Sequence, residues 1–173
     1  MKQALWIILL FLIIISCNSN SDSENKLYRV NDYANILSET EENDLSQLVR
    51  SLEDSIGSQI IILTTNSLEG KTIERYSLEF ANNWGIGRKD YDDGILITIA
   101  PSDRQVRIEV GYGLELIIGD EIAKSIIDNT MLPEFRNGDF YKGISEGTKE
   151  IINLIYDHPE LVGEKWTPEN NMN

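Results

Sequence analysis

Cysteine and histidine are almost absent from this sequence, which contains one of each in 173 residues. A single Cys, Cys17, has no partner for a disulfide, so the fold does not depend on disulfides. One Cys and one His are also too few for a zinc site. The histidine, His158, precedes Pro159 at the end of a predicted helix, which argues against catalysis by Ser-His-Asp or Cys-His groups.

Basic residues are also few, with 15 Lys and Arg against 29 Asp and Glu, a net charge of −14. Because phosphate binding needs a basic surface, the sequence argues against a nucleic-acid partner. The same acid excess would be repelled by an anionic membrane surface. A composition of 41% hydrophobic and 25% charged residues is typical of a folded globule. Cations and basic proteins therefore remain open as partners.

A long hydrophobic run is missing as well, since the apolar segment Ala4–Ile15 has only 12 residues. A helix that spans a membrane needs about 20. With Lys2 ahead of it, the run is typical of the hydrophobic region of a signal peptide. We therefore predict a signal peptide over residues 1–16.

The segment from Ile14 to Cys17 (IISC) resembles a bacterial lipobox. This resemblance implies cleavage before Cys17 and attachment of lipid to its thiol and its new amino group. Two or more acyl chains give durable anchoring. Residues 18–26 contain no apolar side chain, so we predict a flexible tether over 17–26. We expect a lipoprotein that this anchor holds on a membrane of the bacterial cell envelope, on the periplasmic face or the cell surface.

The remaining chain alternates helical and strand patterns. Ser38 and Glu41 form a capping box ahead of a helical repeat, and residues 105–110 alternate apolar and polar side chains. The predicted strands are 27–30, 59–66, 95–100 and 105–110. The predicted helices run from 39 to about 56, from 73 to about 84, from 120 to a residue before Pro133, and from 140 to about 156.

A strand–helix–strand unit predicts a parallel crossover, and the four-residue turn after residue 100 predicts an antiparallel hairpin. The fold class expected is therefore α/β, as a three-layer α/β/α sandwich with a small mixed sheet. We predict one domain over 27–160, followed by a C-terminal tail over 161–173.

Acidic residues should meet at one end of this hairpin. If Ala100 pairs with Gln105, then Gly94 faces Gly111, and the residues before and after them lie side by side. The acids that this register gathers are Asp92, Asp93, Glu115 and Asp120.

Such a cluster needs a compensating group, because two carboxylates ~5 Å apart repel by ~3 kcal/mol at an effective dielectric of ~20. It must take up a proton, pair with a base such as Arg88 or Lys89, or bind a cation. Oxygen ligands on loops suit Ca²⁺, and Mg²⁺ less well. Gly94, Gly111 and Gly113 would let backbone carbonyls approach as further ligands. The spacing alone leaves open whether these are cation ligands or solvated acids of ordinary turns.

Two more specific acidic motifs, an EF-hand loop and a phosphatase Asp-X-Asp pair, do not match this sequence. Asp90 to Gly94 (DYDDG) hints at an EF-hand, but Pro101 stands where the closing Glu is needed. Asp90 and Asp92 form an Asp-X-Asp pair before a strand, whereas the phosphatases that use this pair as nucleophile place it after one.

Several segments together resemble the TPM domain family, and the likeness runs from about Tyr28 to Tyr156. The segments that carry it are VNDYANILS from Val30, DGIL from Asp93, VRIEVGYGLE from Val106, Asp120, PEFR from Pro133, GDF from Gly138, and Gly143.

The resemblance implies an α/β/α sandwich that is exported, tied to a membrane and linked to divalent cations, Ca²⁺ in particular. A plant thylakoid-lumen relative is associated with acid phosphatase activity and photosystem II repair. Carried onto this chain, the matching acids are Asp93, Glu115 and Asp120, with Asp32 as an addition, and Asp92 is included on geometry.

Three functions follow as hypotheses. The first is a lipid-anchored, cation-binding module without catalysis that helps to maintain other envelope proteins, and we favour it. The second is a metal-dependent acid phosphatase in which Arg88 or Lys89 holds the phosphoryl group. The third is an acidic module that docks a basic protein.

Overall fold

The computed structural model describes residues 28–164. The predicted signal peptide, Cys17, the tether and residues 165–173 lie outside the described residues. None of the helices within 28–164 is both long and apolar enough to cross a membrane.

A four-stranded mixed sheet forms the centre of the domain, in the order β1-β2-β3-β4. β1 (Val30–Asp32), β2 (Gln59–Thr64) and β3 (Gly94–Ala100) are parallel, and β4 (Gln105–Val110) runs antiparallel to β3. This arrangement confirms the predicted crossover and hairpin. All residues of β3 are buried, as expected for an apolar strand that helices cover on both faces.

In the described part of the chain, five α-helices surround the sheet: α1 (Glu39–Ser55), α2 (Ile73–Trp84), α3 (Asp120–Ile126), α4 (Leu132–Arg136) and α5 (Phe140–Asp157). The predicted capping box is present, because the Ser38 side chain accepts a hydrogen bond from the Glu41 N–H while the Glu41 carboxylate accepts one from the Ser38 N–H. Local sequence signals therefore set where α1 begins.

The two faces of the sheet carry separate hydrophobic clusters, because successive side chains of a strand point to opposite sides. Ile60 and Ile62 of β2 pack into the larger cluster with α1, α3 and α5. Ile61 and Leu63 pack into the smaller cluster with α2. The predicted α/β/α sandwich is confirmed, and among the helices of residues 28–164 α2 covers one face of the sheet.

The α-helix that begins at Asp120 ends before Pro133, as predicted, but helical structure continues beyond its end at Ile126. A π-helical turn, Ile127–Met131, follows α3, and the Leu132 N–H donates to the Ile127 carbonyl five residues back. Pro133 is then the second residue of α4, and the π turn directly before it changes the spacing of the hydrogen bonds ahead of a residue that has no N–H group to donate. The chain thus stays helical through the proline.

Residues 161–163, which follow the predicted end of the domain at residue 160, still pack against it. Pro159–Leu161 form a 3₁₀ turn, Leu161 and Val162 contact the larger cluster, and the Gly163 N–H donates to the Gly113 carbonyl at 2.9 Å. The chain therefore returns to the same end of the hairpin that gathers the acids.

Candidate functional site

At the end of the β3–β4 hairpin where the acids were expected to gather, the loop before β3 and the loop after β4 lie side by side, as the predicted register requires. The Gly111 N–H donates to the Gly94 carbonyl at 2.8 Å, and the Gly113 N–H donates to the Asp92 carbonyl at 3.0 Å. The segment before β3 and the segment after β4 are therefore joined backbone to backbone.

Glycine is required where these segments touch. A Cβ atom on Gly113 would lie 1.8 Å from the carbonyl oxygen of Tyr91, and one on Gly111 would lie 2.1 Å from that of Asp92. Side chains cannot occupy such distances, so any other residue would force the loops apart. The backbone carbonyls that approach these two glycines are those of Tyr91 and Asp92 in the neighbouring loop.

Asp93 points into the protein and its side chain is 0% exposed. One carboxylate oxygen accepts the Arg88 backbone N–H at 2.7 Å. The other accepts the Arg88 Nε and Nη2 at 2.8 and 2.5 Å and the Ser58 hydroxyl at 3.1 Å. The Arg88 guanidinium also lies 3.9 Å from the centre of the Tyr91 ring. Asp93 and Arg88 thus form an internal ion pair that holds the loop before β3.

Asp32 lies at the opposite end of the sheet. It ends β1 beside Thr64, the last residue of β2, whereas Gly94 begins β3 next to the first residue of β2. One Asp32 oxygen accepts the Leu37 N–H at 2.8 Å and the other accepts the Thr64 hydroxyl. Asp32 therefore orders the connection to α1 and does not join the acids of the hairpin.

The other predicted acids line two adjoining depressions at the end of the hairpin. Asp92, Glu109 and Glu115 border one of about 360 Å³ against α2, and Glu109, Glu115 and Asp120 border the next, of about 510 Å³. We call the two depressions with these four carboxylates the acidic cleft. Within residues 28–164, no three acidic, His or Cys side chains lie close enough to form a preformed metal centre.

Glu109 is the residue of the cleft that the sequence prediction missed. The alternation of β4 was used to find its apolar face, with Val106, Ile108 and Val110, and the same alternation places Arg107 and Glu109 on the other face. The Arg107 Nε donates to Glu109 at 2.9 Å, and the Glu109 side chain is 17% exposed. The polar residues of this alternating pattern were the signal in the sequence that could have identified Glu109.

Negative charge also accumulates near Asp32. Burial raises the pKa of the Glu42 carboxyl above its usual value, and the charges of Asp32 and Glu39 raise it further. Acids therefore gather at both ends of the sheet, through different strands.

A small mixed sheet between two helical layers, with a carboxylate-lined cleft at the end of its hairpin, defines the class of this protein as a compact α/β/α domain with an acidic site. The chain matches the model of the TPM domain over residues 30–154. It belongs to the TPM domain family.

Solved structures of similar domains support the fold. The N-terminal domain of a Porphyromonas gingivalis protein is 28% identical, with 82% of this chain and 89% of that one covered and a TM-score of 0.71. The BA42 protein of Bizionia argentinensis is 16% identical, with coverages of 77% and 87% and a TM-score of 0.63. An N-terminal domain from Corynebacterium glutamicum is 13% identical, with coverages of 85% and 88% and a TM-score of 0.58. No curated protein matches the chain.

Proposed function

We propose that this protein is a lipid-anchored TPM-domain module of the bacterial cell envelope that binds a divalent cation, Ca²⁺ in preference to Mg²⁺, in its acidic cleft. The observation that carries the proposal is that Glu109 and Glu115 line both depressions, so that one cation could draw on Asp92 or on Asp120 as a further ligand. The proposed site leaves out Asp32 and Asp93, whose oxygens accept internal hydrogen bonds. Its role would be to help maintain other envelope proteins, without catalysis of its own.

The donor set fits Ca²⁺ better than Mg²⁺. Ca²⁺ accepts six to eight oxygens in variable geometry, whereas Mg²⁺ demands a nearly ideal octahedron. Glu115 and Asp120 are exposed, and their side chains would have to become ordered around the ion, which costs conformational entropy. Arg107 also competes for Glu109. We therefore expect weak binding, with a Kd of about 10⁻⁴ to 10⁻³ M, as in extracellular calcium modules.

The test is a Ca²⁺ titration of residues 18–173, followed by two-dimensional NMR. This fragment includes every described helix and strand, and the similar Porphyromonas gingivalis domain was solved in solution as a separate domain. Amide signals of Asp92, Gly111, Glu115 and Asp120 should shift together and saturate. The double variant E109Q/E115Q should lose these shifts.

A matched control removes the same two charges elsewhere. Asp44 and Asp54 are exposed on α1, which contributes no residue to either depression, so D44N/D54N should bind Ca²⁺ as the wild type does. No saturable shift at millimolar Ca²⁺, or an equal loss in both double variants, would contradict the proposal. Capture of basic proteins that salt disrupts and chelators do not would favour the acidic docking module instead.

A phosphatase is the second candidate, because the family model carries the name TPM phosphatase and a cation with a basic group could hold a phosphate. Arg107 is a better candidate than Arg88 for the basic group that holds the phosphate. Arg88 is paired with the buried Asp93, whereas Arg107, which is paired with Glu109, lines the depression that Glu109, Glu115 and Asp120 border.

Hydrolysis of a generic phosphomonoester, with and without Ca²⁺ or Mg²⁺, tests this candidate. If the cleft is catalytic, R107Q and E115Q should each reduce kcat at least about tenfold, and R50Q, on exposed α1, should not. Equal activity in all of these variants would assign the hydrolysis to a contaminant or to another site.

A further inference from the structure

An apolar groove lies at the opposite end of the hairpin from the acidic cleft. It runs between the turn after β3 and the α4–α5 region, and its volume is about 540 Å³, within the range of ligand sites. Its apolar walls come from the sheet, through Val106 of β4, and from the helices α4 and α5, through Leu132, Phe135 and Phe140. The centres of the two Phe rings are 5.2 Å apart.

Two arginines border this groove, Arg104 from the hairpin turn and Arg136 from the end of α4. Both are exposed, and within residues 28–164 neither forms an ion pair or a side-chain hydrogen bond. By contrast, Arg29, Arg75, Arg88 and Arg107 are all paired with carboxylates, as expected in a protein with a net charge of −14. The groove is therefore a local basic site on an acidic molecule.

The backbone of Arg104 adds a second observation. Its φ angle is 54°, in the left-handed region where Gly or Asn is the usual residue of a turn. A long side chain therefore stands at a position where local conformation favours a short one, and its guanidinium borders the groove.

We propose that this groove, which we call the arginine groove, docks an extended peptide segment of a partner protein in which Asp or Glu stands next to apolar side chains. The apolar side chains would contact Val106, Leu132, Phe135 and Phe140, and the carboxylates would accept paired hydrogen bonds from Arg104 and Arg136. The groove is partly open to solvent, so an acyl chain in it would keep part of its surface in contact with water, whereas a peptide would bury its apolar side chains and leave its backbone solvated. This favours a peptide over a lipid.

The experiment is selection of peptides from a random phage-displayed library on residues 18–173, with R104Q/R136Q for counter-selection. Enriched peptides should carry Asp or Glu beside Leu, Ile or Phe. An enriched peptide is then synthesised in two forms, with its carboxylates and with the isosteric Asn and Gln amides. We expect the amide form to bind the wild type at least about tenfold more weakly, and the acidic form to lose a similar factor on R104Q/R136Q.

Two controls locate the effect. R50Q removes an exposed arginine of α1 that has no ion pair among the described residues, so its affinity should equal that of the wild type. In NMR spectra, the acidic peptide should shift the amide signals of Val106, Leu132, Phe135, Arg136 and Phe140 and leave those of Glu109–Glu115 unchanged, and F140L should weaken binding while retaining the fold.

Three results would overturn the proposal. These are enrichment of peptides without acids, a loss of affinity in R50Q equal to that in R104Q/R136Q, and binding only to phosphatidylglycerol vesicles, which would make the groove a membrane contact instead. Because Glu109 and Glu115 take no part, a failure here is independent of the result for Ca²⁺.

Discussion

Asp93 is the only charged side chain among the fully buried residues of the described chain, and Arg88 is its partner. We expect D93N to lower the free energy of unfolding by about 3 kcal/mol, because the partly buried arginine then lacks its counter-charge. Urea unfolding followed by circular dichroism measures this.

Two comparisons test the cause. Asp128 forms an exposed i,i+4 pair with Lys124, so D128N should cost less than about 0.5 kcal/mol. R88Q/D93N should cost less than the two single variants added together, since the pair acts as a unit. Additive costs would show that Asp93 stabilises the loop through its other hydrogen bonds alone.

Glu42 gives a prediction that depends on pH. Its pKa is raised above 4.5 in the folded protein, first by burial and then by Asp32 and Glu39, so the folded state holds this proton more strongly than the unfolded state. As the pH rises from 4.5 through the folded pKa, ionisation of Glu42 therefore lowers the stability of the wild type. E42Q avoids this loss, and its stability relative to the wild type should increase by a few tenths of a kcal/mol between pH 4 and 7, about the energy of a like-charge pair on a helix surface.

Urea titrations of E42Q and wild type across this range provide the measurement. D44N, on the exposed side of the same helix, serves as the reference for the loss of a charge. A relative stability of E42Q that is constant or falls with pH would contradict the raised pKa.

Among structural elements, the two loops at the hairpin end are the most sensitive to substitution. G113A should destabilise by more than about 3 kcal/mol or displace the loops, because its Cβ would lie 1.8 Å from a backbone oxygen that cannot rotate away. G119A is the matched control, since its φ is −74° and its Cβ would lie 3.4 Å from its nearest neighbour. It should cost less than about 1 kcal/mol. Thermal unfolding distinguishes them, and equal costs would argue that the loops adapt.

How far the sequence predicts an element depends on the range of the interaction that determines it. The β3–β4 register follows from a four-residue turn and was predicted correctly, as was the capping box of α1. The continuation of helical structure through Pro133 was not predicted, because the π turn ahead of the proline has no local signal in the sequence. Elements governed by neighbours in the chain are therefore predictable, and those that depend on packing against α5 are not.

The same distinction applies to the acidic site. The register correctly brings Asp92 beside Gly113. It does not tell which of the adjacent residues Asp92 and Asp93 turns inward, because that choice depends on Arg88 and on Ser58, which is 35 residues away. Asp32 was included because of a family resemblance, and only the parallel pairing of β1 with β2 shows that it lies at the other end of the sheet.

At the scale of the whole molecule, the net charge of −14 should make stability depend on salt. Raising NaCl from about 0.01 to 0.1 M shortens the Debye length from about 30 to 10 Å, which weakens the repulsion among acids at both ends of the sheet. We expect the Tm of the wild type to rise by a few degrees, or about 1 kcal/mol in the free energy of unfolding. E109Q/E115Q should respond less to NaCl.

Calcium separates screening from binding in this measurement. At equal ionic strength, CaCl₂ should raise the Tm of the wild type more than NaCl does, and this additional increase should vanish in E109Q/E115Q but not in D44N/D54N. Identical curves for the two salts would leave screening as the whole effect.

The interlocked loops have a consequence for how this domain can diversify. Where they meet, Gly111 and Gly113 lie against backbone oxygens, and the acidic cleft beside this junction is lined by side chains at 92, 109, 112 and 115. Exchanging one of these side chains would alter what the cleft attracts without disturbing the contact between the loops. One scaffold can thus be retuned among cations, phosphates and basic proteins by a few substitutions, and engineering a new specificity here should begin at these side chains and leave the glycines untouched.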